Sequence, residues 1–253
     1  MRNTARLWVF VSLLTLALLT PAGSASAASD RLPDLAMARL RHIGTTRTAD
    51  GRRLLRFSAI IVNVGVGPFE LRSQRPDTNS SWSTRQVIYD TDGDARTART
   101  PSVQLVYEGD GHDHWHVKDL ETYQLAPLPD GNGNNSPSRT SQKVGFCFFD
   151  NYQYRPWLPD APWYLEYGRR GCGTRSSVRL RNGLSVGWGD IYHRSLPGQY
   201  IDITGLPNGL YRLSATADQA NFFLERNDAN NSTWVDLRIR ARGVTVLRRA
   251  PSP

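Results

Sequence analysis

Apolar residues after residue 28 fall into short runs, and no run of useful length repeats with the period of a helix. The runs are rich in β-branched and aromatic residues, and clusters of Gly, Asn, Asp and Pro bound them. This pattern predicts an all-β fold, a single β-sandwich-type domain with long loops and little helix. The predicted strands are residues 54–64, 68–71, 85–89, 102–107, 112–125, 143–149, 200–203, 210–216 and 234–239.

The first 27 residues have the composition of a secretory signal. Arg2 and Arg6 precede an apolar stretch at residues 7–19, and Ala25 and Ala27 form a small-residue cleavage site. The apolar stretch is too short to span a membrane, and no later segment approaches the required length. We therefore expect residues 1–27 to be removed and residues 28–253 to form a secreted, extracellular domain without a membrane partner.

The charge of the chain argues against nucleic-acid binding. The formal net charge is +8, but the arginines are spread as single residues and pairs, with no basic stripe interleaved with aromatics.

Of 31 basic residues only Lys118 and Lys143 are lysines. A primary amine can lose its proton and act as a nucleophile, which a guanidinium does not do. Lys143 is therefore a candidate for covalent chemistry, with an ordinary surface lysine as the alternative.

Three of the five histidines occupy alternate positions, His112, His114 and His116. Alternate residues of a strand point to the same face, so the three imidazoles are expected to converge on one metal ion. Imidazole suits copper, zinc, iron or nickel, and three ligands leave a position open for water, dioxygen or substrate. The alternative is a solvated strand edge with no ligand.

Cys147 and Cys172 are the only cysteines, and in an exported chain such a pair usually forms a disulfide. We predict a disulfide between these two cysteines.

The acidic segment at residues 90–94 superficially resembles a calcium loop, but it lacks the glycine offset and the distal glutamate of an EF-hand. A hairpin tip is the favoured interpretation of this segment.

Four segments resemble the lysyl oxidase family, in the family's order. Residues 112–116 resemble its copper-binding histidine stretch, and residues 119–125 resemble the strand that follows it. Residues 143–150 look like the segment carrying the lysine of the family's self-made quinone, and residues 184–192 with 199–204 look like the segment carrying the tyrosine. The resemblance implies copper on His112, His114 and His116. It also implies a lysine tyrosylquinone made from Lys143 and Tyr192.

The implied activity is that of a bacterial, secreted protein-lysine 6-oxidase. Such an enzyme converts primary amines, with peptidyl lysine as the family's substrate class, to aldehydes. It consumes dioxygen and releases hydrogen peroxide and ammonia. The cofactor carries the difficult step, and the protein supplies position and proton transfer.

The chain also departs from the family pattern. Animal members have more cysteines, and they have a histidine shortly after the copper strand where this chain reads Glu-Thr-Tyr-Gln at 121–124. The sequence therefore does not assign the catalytic base, and Asp119, Asp190 and His193 are the candidates. Lys118 could compete for the quinone role. We favour Lys143, because an ammonium group beside the metal would oppose copper binding.

A turn at residues 225–231 is dense in carboxylate and amide oxygens, which suit calcium. Lysyl oxidase domains have a calcium site formed by this turn and an early Pro-Asp-Leu segment. The resemblance therefore implies calcium on Asp34, Leu35, Asn227, Asn230 and Asn231. A polar hairpin that needs no ion is the alternative.

Two other functions remain open from the sequence. One is a non-catalytic secreted β-sandwich, such as an adhesion module. The other is a copper-binding protein that holds the metal and lacks the quinone. Fold alone does not separate them from an oxidase.

Overall fold

The computed structural model describes residues 28–100, 102–108, 113–129, 137–141, 143 and 145–253. These residues form nineteen strands and two short 3-10 helices, so the predicted all-β class is confirmed. In this described part of the chain, no helix is long and apolar enough to cross a membrane. The predicted signal at residues 1–27 lies outside the described residues, and the domain boundary after it stays a prediction.

The strands are short, and they are numbered here in chain order. They are β1 (Asp30–Arg31), β2 (Leu35–Met37), β3 (Arg41–Arg47), β4 (Arg53–Asn63), β5 (Phe69–Gln74), β6 (Ser83–Asp90), β7 (Ala95–Arg99), β8 (Leu105–Glu108), β9 (His114–Lys118), β10 (Glu121–Pro127), β11 (Arg139–Thr140), β12 (Gly145–Phe146), β13 (Tyr152–Gln153), β14 (Arg179–Leu184), β15 (Trp188–Tyr192), β16 (Tyr200–Asp202), β17 (Gly209–Ala217), β18 (Ser232–Arg240) and β19 (Gly243–Arg249). The 3-10 helices are Arg169–Cys172 and Asp228–Asn230.

The strands pair into four antiparallel sheets. One has the order β1-β6-β5-β14, with β7 also on β6, and another has the order β11-β10-β17-β18-β19. The third is β12-β9-β8. The fourth is β13-β15-β4-β16, with β2 and β3 also on β4.

Strand β4 lies at the centre of the core because both of its faces are covered. Leu55, Phe57 and Ile61 belong to the main apolar cluster, which also receives residues from β10, β17 and β18. Ile60 and Val62 point the other way, into a smaller apolar cluster. This strand pairs with β15, which ends at Tyr192. The core therefore fixes the position of that tyrosine.

The predicted single strand at residues 112–125 is wrong, because the chain turns after Lys118. Asp119 has φ +58°, a left-handed conformation that Asp tolerates better than most residues. As a result β9 pairs with β8 and β12, whereas β10 pairs with β11 and β17. The histidine strand and the segment after it belong to different sheets.

The predicted strand at residues 143–149 is also largely wrong, since only Gly145 and Phe146 are in a strand. Cys147 and Phe148 are buried as core residues without a strand partner. Lys143 therefore lies in the segment that leads into β12.

The predicted hairpin tip at residues 90–94 is confirmed, because it joins β6 to β7 and the Asp90 carboxylate accepts hydrogen bonds from the backbone NH groups of Asp92 and Asp94.

Candidate active site

Two of the three predicted metal-binding histidines lie together on β9. His114 and His116 are buried, and their Nε2 atoms are 2.9 Å apart. The alternation of the strand brings them to one face, as the sequence predicted. His112 lies outside the described residues. The two nitrogens are within hydrogen-bond distance of each other, which is also close enough for both to bind one metal ion.

Strand β12 holds the lysine segment against this histidine strand. Gly145 pairs with Lys118 and Phe146 pairs with Val117. A Cβ atom at Gly145 would lie 2.8 Å from the Cβ of His116, so the glycine is needed for this close approach. The segment that carries Lys143 is thereby fixed beside the histidines.

Lys143 and Tyr192 meet although 49 positions separate them. The Lys143 Nζ atom is 5.3 Å from the centre of the Tyr192 ring and 5.2 Å from that of Phe146, and both Lys143 and Tyr192 are buried. The Tyr192 hydroxyl donates a 2.6 Å hydrogen bond to the carbonyl of Cys147, and Phe146 packs edge-on against the tyrosine ring. These contacts fix the ring with the lysine amine beside it.

Tyr192 and His114 also line a common cavity of about 400 Å³. Its other walls come from the segment between β12 and β13, the 3-10 helix at 169–172, the end of β15 and the loop that follows β15. The residues are Phe149, Asn151, Arg169, Asp190, Ile191, His193 and Leu196. The cavity is large enough for a small amine or the end of a lysine side chain. It therefore offers a small molecule access to the tyrosine and to one histidine together.

The three candidate bases have different surroundings. Asp119 is exposed in the turn after β9, and His193 is exposed with its Nδ1 atom 2.9 Å from the Ser195 hydroxyl. Asp190 is buried on the cavity wall. One of its oxygens accepts a hydrogen bond from Asn151, and the other makes no well-aligned hydrogen bond with a described residue. Burial raises the pKa of Asp190 well above its usual range, although the Asn151 hydrogen bond opposes the shift.

A second buried acid, Glu121, was missed by sequence reasoning. It begins β10, and neither carboxylate oxygen makes a well-aligned hydrogen bond with a described residue. Burial raises the pKa of Glu121 to about 8, while the Tyr123 hydroxyl and the Lys143 charge act in the opposite direction. The Tyr123 hydroxyl and the Gln199 amide are likewise buried without well-aligned partners in the described structure. The candidate site therefore borders a polar interior.

The predicted disulfide between Cys147 and Cys172 is confirmed, with the two Cα atoms 5.9 Å apart. It joins the residue that accepts the Tyr192 hydrogen bond to the 3-10 helix at 169–172. Both sulfurs lie within 4.8 Å of a His114 ring nitrogen. Because the sulfurs are bonded to each other, they are not thiolate ligands, and the donor set for a metal consists of imidazoles.

The residues expected to bind calcium form a second, separate cluster. Hydrogen bonds link Asp34 and Leu35 to the turn at residues 225–231. Asp34 accepts a 2.7 Å hydrogen bond from Asn230, and Glu225 accepts hydrogen bonds from Asn231 and from the NH of Leu35. The Oδ1 atoms of Asn230 and Asn231 are buried with no hydrogen-bond partner among described residues. Oxygens of this kind suit a calcium ion.

Asn227, by contrast, caps the 3-10 helix at 228–230 by accepting a hydrogen bond from the NH of Ala229. Glu225 is the residue of this cluster that the sequence-based set did not include. Burial raises the pKa of Glu225 to about 8, and nearby Asp218 and Asp228 add to the shift. A divalent cation would relieve this crowding of carboxylates.

The residues present fit the copper and the quinone that the resemblance implies. The imidazoles converge, a lysine amine adjoins a tyrosine ring, and buried polar atoms of Glu121, Tyr123 and Gln199 lie nearby without well-aligned partners in the described structure. An unpaired polar interior costs stability unless it serves a ligand or a reaction. The donor set is therefore appropriate for copper, and the amine and ring are suitably placed for a crosslink.

Comparison with known proteins supports the same family. No curated protein matches the chain. Residues 166–248 match the family model described as lysyl oxidase. The matched segment contains Cys172, Tyr192 and the turn at 225–231, whereas the histidine strand and Lys143 precede it. Through residues 166–248, the chain is therefore similar to the lysyl oxidase family.

Proposed function

We propose that the mature chain is a secreted, copper-dependent amine oxidase. Its cofactor would be lysine tyrosylquinone formed from Lys143 and Tyr192, and its substrates would be primary amines, peptidyl lysine among them. One observation carries the proposal. The Lys143 amine is 5.3 Å from the centre of the Tyr192 ring, and that ring lines the same cavity as His114.

His112, His114 and His116 would hold the copper. Bound copper and dioxygen would oxidise the tyrosine ring, and the finished quinone would accept electrons from the amine substrate. The Cys147 carbonyl holds the Tyr192 hydroxyl, and Phe146 supports the ring. These contacts keep the ring in place beside the Lys143 amine.

Asp190 is our assignment for the group that accepts a proton from the substrate. It lines the cavity with Tyr192 and has one carboxylate oxygen without a well-aligned hydrogen bond in the described structure. Burial raises the pKa of Asp190, so its ionised form binds a proton more strongly than a carboxylate in water does. Asp119 is exposed, and the His193 ring contacts Ser195.

The covalent bond between Lys143 and Tyr192 is the decisive test. We expect mass spectrometry of tryptic peptides from copper-loaded protein to detect the two peptides joined. Tyr192→Phe removes the phenol and keeps the ring, so this variant should bind copper but show neither quinone absorbance nor amine-dependent peroxide release. Lys143→Arg should bind copper without forming a stable crosslink, because a guanidinium does not add as a neutral amine.

Lys118→Arg is the matched control, since Lys118 is the other lysine and should not be needed for the crosslink. Loss of the crosslink in Lys118→Arg, with retention in Lys143→Arg, would invert the assignment. Absence of any crosslink in the copper-loaded parent would refute the oxidase and leave a copper-binding protein. Substitution of His114 or His116 by alanine should lower copper content sharply, because a three-imidazole site has no spare ligand.

A further inference from the structure

A concave surface of about 990 Å³ adjoins the candidate active site. It lies on the outer face of β5, β6 and β14 and is closed on one side by the 3-10 helix at 169–172. We call it the arginine groove, because six of its lining residues are arginines, namely Arg72, Arg85, Arg169, Arg170, Arg179 and Arg181. Its volume is at the upper end for ligand sites and exceeds the needs of a single small amine.

The arrangement of these arginines is unfavourable for the protein alone. Arg181 is directly opposite Arg72 across one strand pair, and Arg72 is directly opposite Arg85 across the next. Like charges in directly opposite positions of a sheet are destabilising. A row of three arginines across three neighbouring strands therefore indicates that this surface meets negative charge from another source.

Only part of that negative charge comes from the described residues of the chain. The fully buried Glu70 carboxylate binds Arg72 at 2.6 Å and Arg181 at 2.9 Å, and it also accepts a hydrogen bond from Tyr167. Its pKa is lowered, because these hydrogen bonds outweigh the effect of burial. Glu70 thus balances one of the two positive charges of Arg72 and Arg181.

The remaining four arginines keep their charge available. Arg85, Arg169, Arg170 and Arg179 are exposed, and none makes an ion pair with a carboxylate of a described residue. Glu166 is the one exposed carboxylate among the residues that line the groove. The rim therefore has an excess of guanidinium groups, each of which can bind a carboxylate through two parallel hydrogen bonds.

Arg169 connects the groove with the candidate active site, because it lines both the groove and the smaller cavity of His114 and Tyr192. The disulfide ties the helix of Arg169 to Cys147, whose carbonyl holds the Tyr192 hydroxyl. A Cβ atom at Gly171 would lie 2.0 Å from the carbonyl oxygen of Arg181, so this helix is pressed closely onto β14. The two concavities are therefore held in a fixed relation.

We propose that the arginine groove binds the Asp and Glu side chains of an acidic polypeptide whose lysine enters the adjoining cavity. This inference rests on the proposed oxidase function, because that function requires the amine to be presented at Tyr192. A polypeptide fits better than a free small amine, since one molecule must reach both concavities. The substrate class is thus lysine flanked by acidic residues.

The test compares two peptides of equal length, one with lysine among glutamates and one with lysine among glutamines. With copper-loaded mature protein, peroxide release should give a kcat/KM about tenfold higher for the acidic peptide, mainly through KM. Raising the salt concentration should reduce the difference, because exposed charges are screened. The double variant Arg85→Gln with Arg179→Gln should lower the ratio toward one.

Arg238→Gln is the matched control, since Arg238 is an exposed arginine of β18 outside the groove. It should leave the ratio unchanged. An equal kcat/KM for the two peptides in the parent protein would overturn the groove proposal while leaving the oxidase intact.

A binding measurement separates the groove from the oxidase. Fluorescence anisotropy with an acidic peptide that has norleucine in place of lysine should show binding by the parent and weaker binding by the double variant, without any need for turnover. Such binding in a protein that oxidises no amine would support the groove and refute only the oxidase. Tighter binding of a sulfated polysaccharide or single-stranded DNA, with displacement of the peptide, would overturn the choice of a polypeptide.

Discussion

Asp190 is a buried carboxyl on the wall of a cavity that also contains Tyr192. We expect Asp190→Asn to reduce turnover by about 10²–10⁴-fold, because positioned proton acceptors contribute factors of this size. The change keeps the shape of the side chain and its contact with Asn151. Peroxide release measured on copper-loaded protein, normalised to quinone content, checks the prediction.

Asp119→Asn is the control for this change, because Asp119 is exposed in the turn after β9. It should retain parental turnover. If Asp190→Asn keeps normal turnover per quinone, another group accepts the proton. If it forms no quinone at all, the role of Asp190 lies in making the cofactor.

Glu121 predicts a pH dependence of stability. Its pKa is about 8 in the folded chain and near 4.5 when solvated, so the unfolded chain loses this proton first as the pH rises. The free energy of unfolding should therefore fall between about pH 4.5 and 8, and Glu121→Gln should remove this part of the decrease. The neighbouring titratable groups, Tyr123, Lys143 and Asp190, remain in both proteins.

Urea titrations of the metal-free protein, which keeps Lys143 uncrosslinked, measure this difference. The variant should gain stability over the parent by a few kcal/mol between pH 5 and 8. A constant difference across that range would show that Glu121 ionises as it does in water.

Sequence reasoning reached some of these residues and missed others for physical reasons. The histidines were accessible because alternation along a strand is a local property. Glu121 also followed an alternation, since Glu121, Tyr123 and Leu125 share the buried face of β10. That signal was hidden by treating residues 112–125 as one strand. The contact of Asp190 with the cavity depends on how sheets pack, which no local pattern encodes.

At the scale of elements, the long apolar strands were predictable, whereas short strands such as β2 and polar strands were not. Strand β4 has a long apolar run because both of its faces are buried. Strands β3 and β7 consist largely of polar residues, because each pairs with another strand and leaves much of its surface to solvent. Their hydrogen bonds come from tertiary pairing rather than from their own hydrophobicity. Sequence patterns therefore locate the core strands better than the edges.

The 3-10 helix at 169–172 shows how a covalent bond can position an element that has little core of its own. Cys172 is its buried residue, and the two arginines before it are exposed. The disulfide joins this helix to Cys147, next to the tyrosine site. The predicted cysteine pair thus explains the fixed position of the helix. The arginine groove could not be predicted, because it depends on how the helix packs against β5, β6 and β14.

At the scale of the whole molecule, the calcium cluster joins distant parts of the chain. Leu35 begins β2 and Asp34 immediately precedes it, and the two residues contact Glu225 and Asn230, which lie about 190 positions later in sequence. Closing so long a loop is entropically costly, and an ion that binds only the folded state offsets part of this cost. Bound calcium would therefore link segments near the two ends of the described chain and stabilise the folded state.

Chelation should accordingly lower the melting temperature of the mature protein. A hundredfold excess of calcium over its dissociation constant would add about 2.7 kcal/mol, or about 5–10 °C for a domain of this size. Glu225→Gln should weaken the calcium response. Asp92→Asn, in the other acidic turn, should keep it, because that turn is a plain hairpin tip. A melting temperature that does not respond to calcium after thorough chelation would mean that hydrogen bonds alone hold the cluster together.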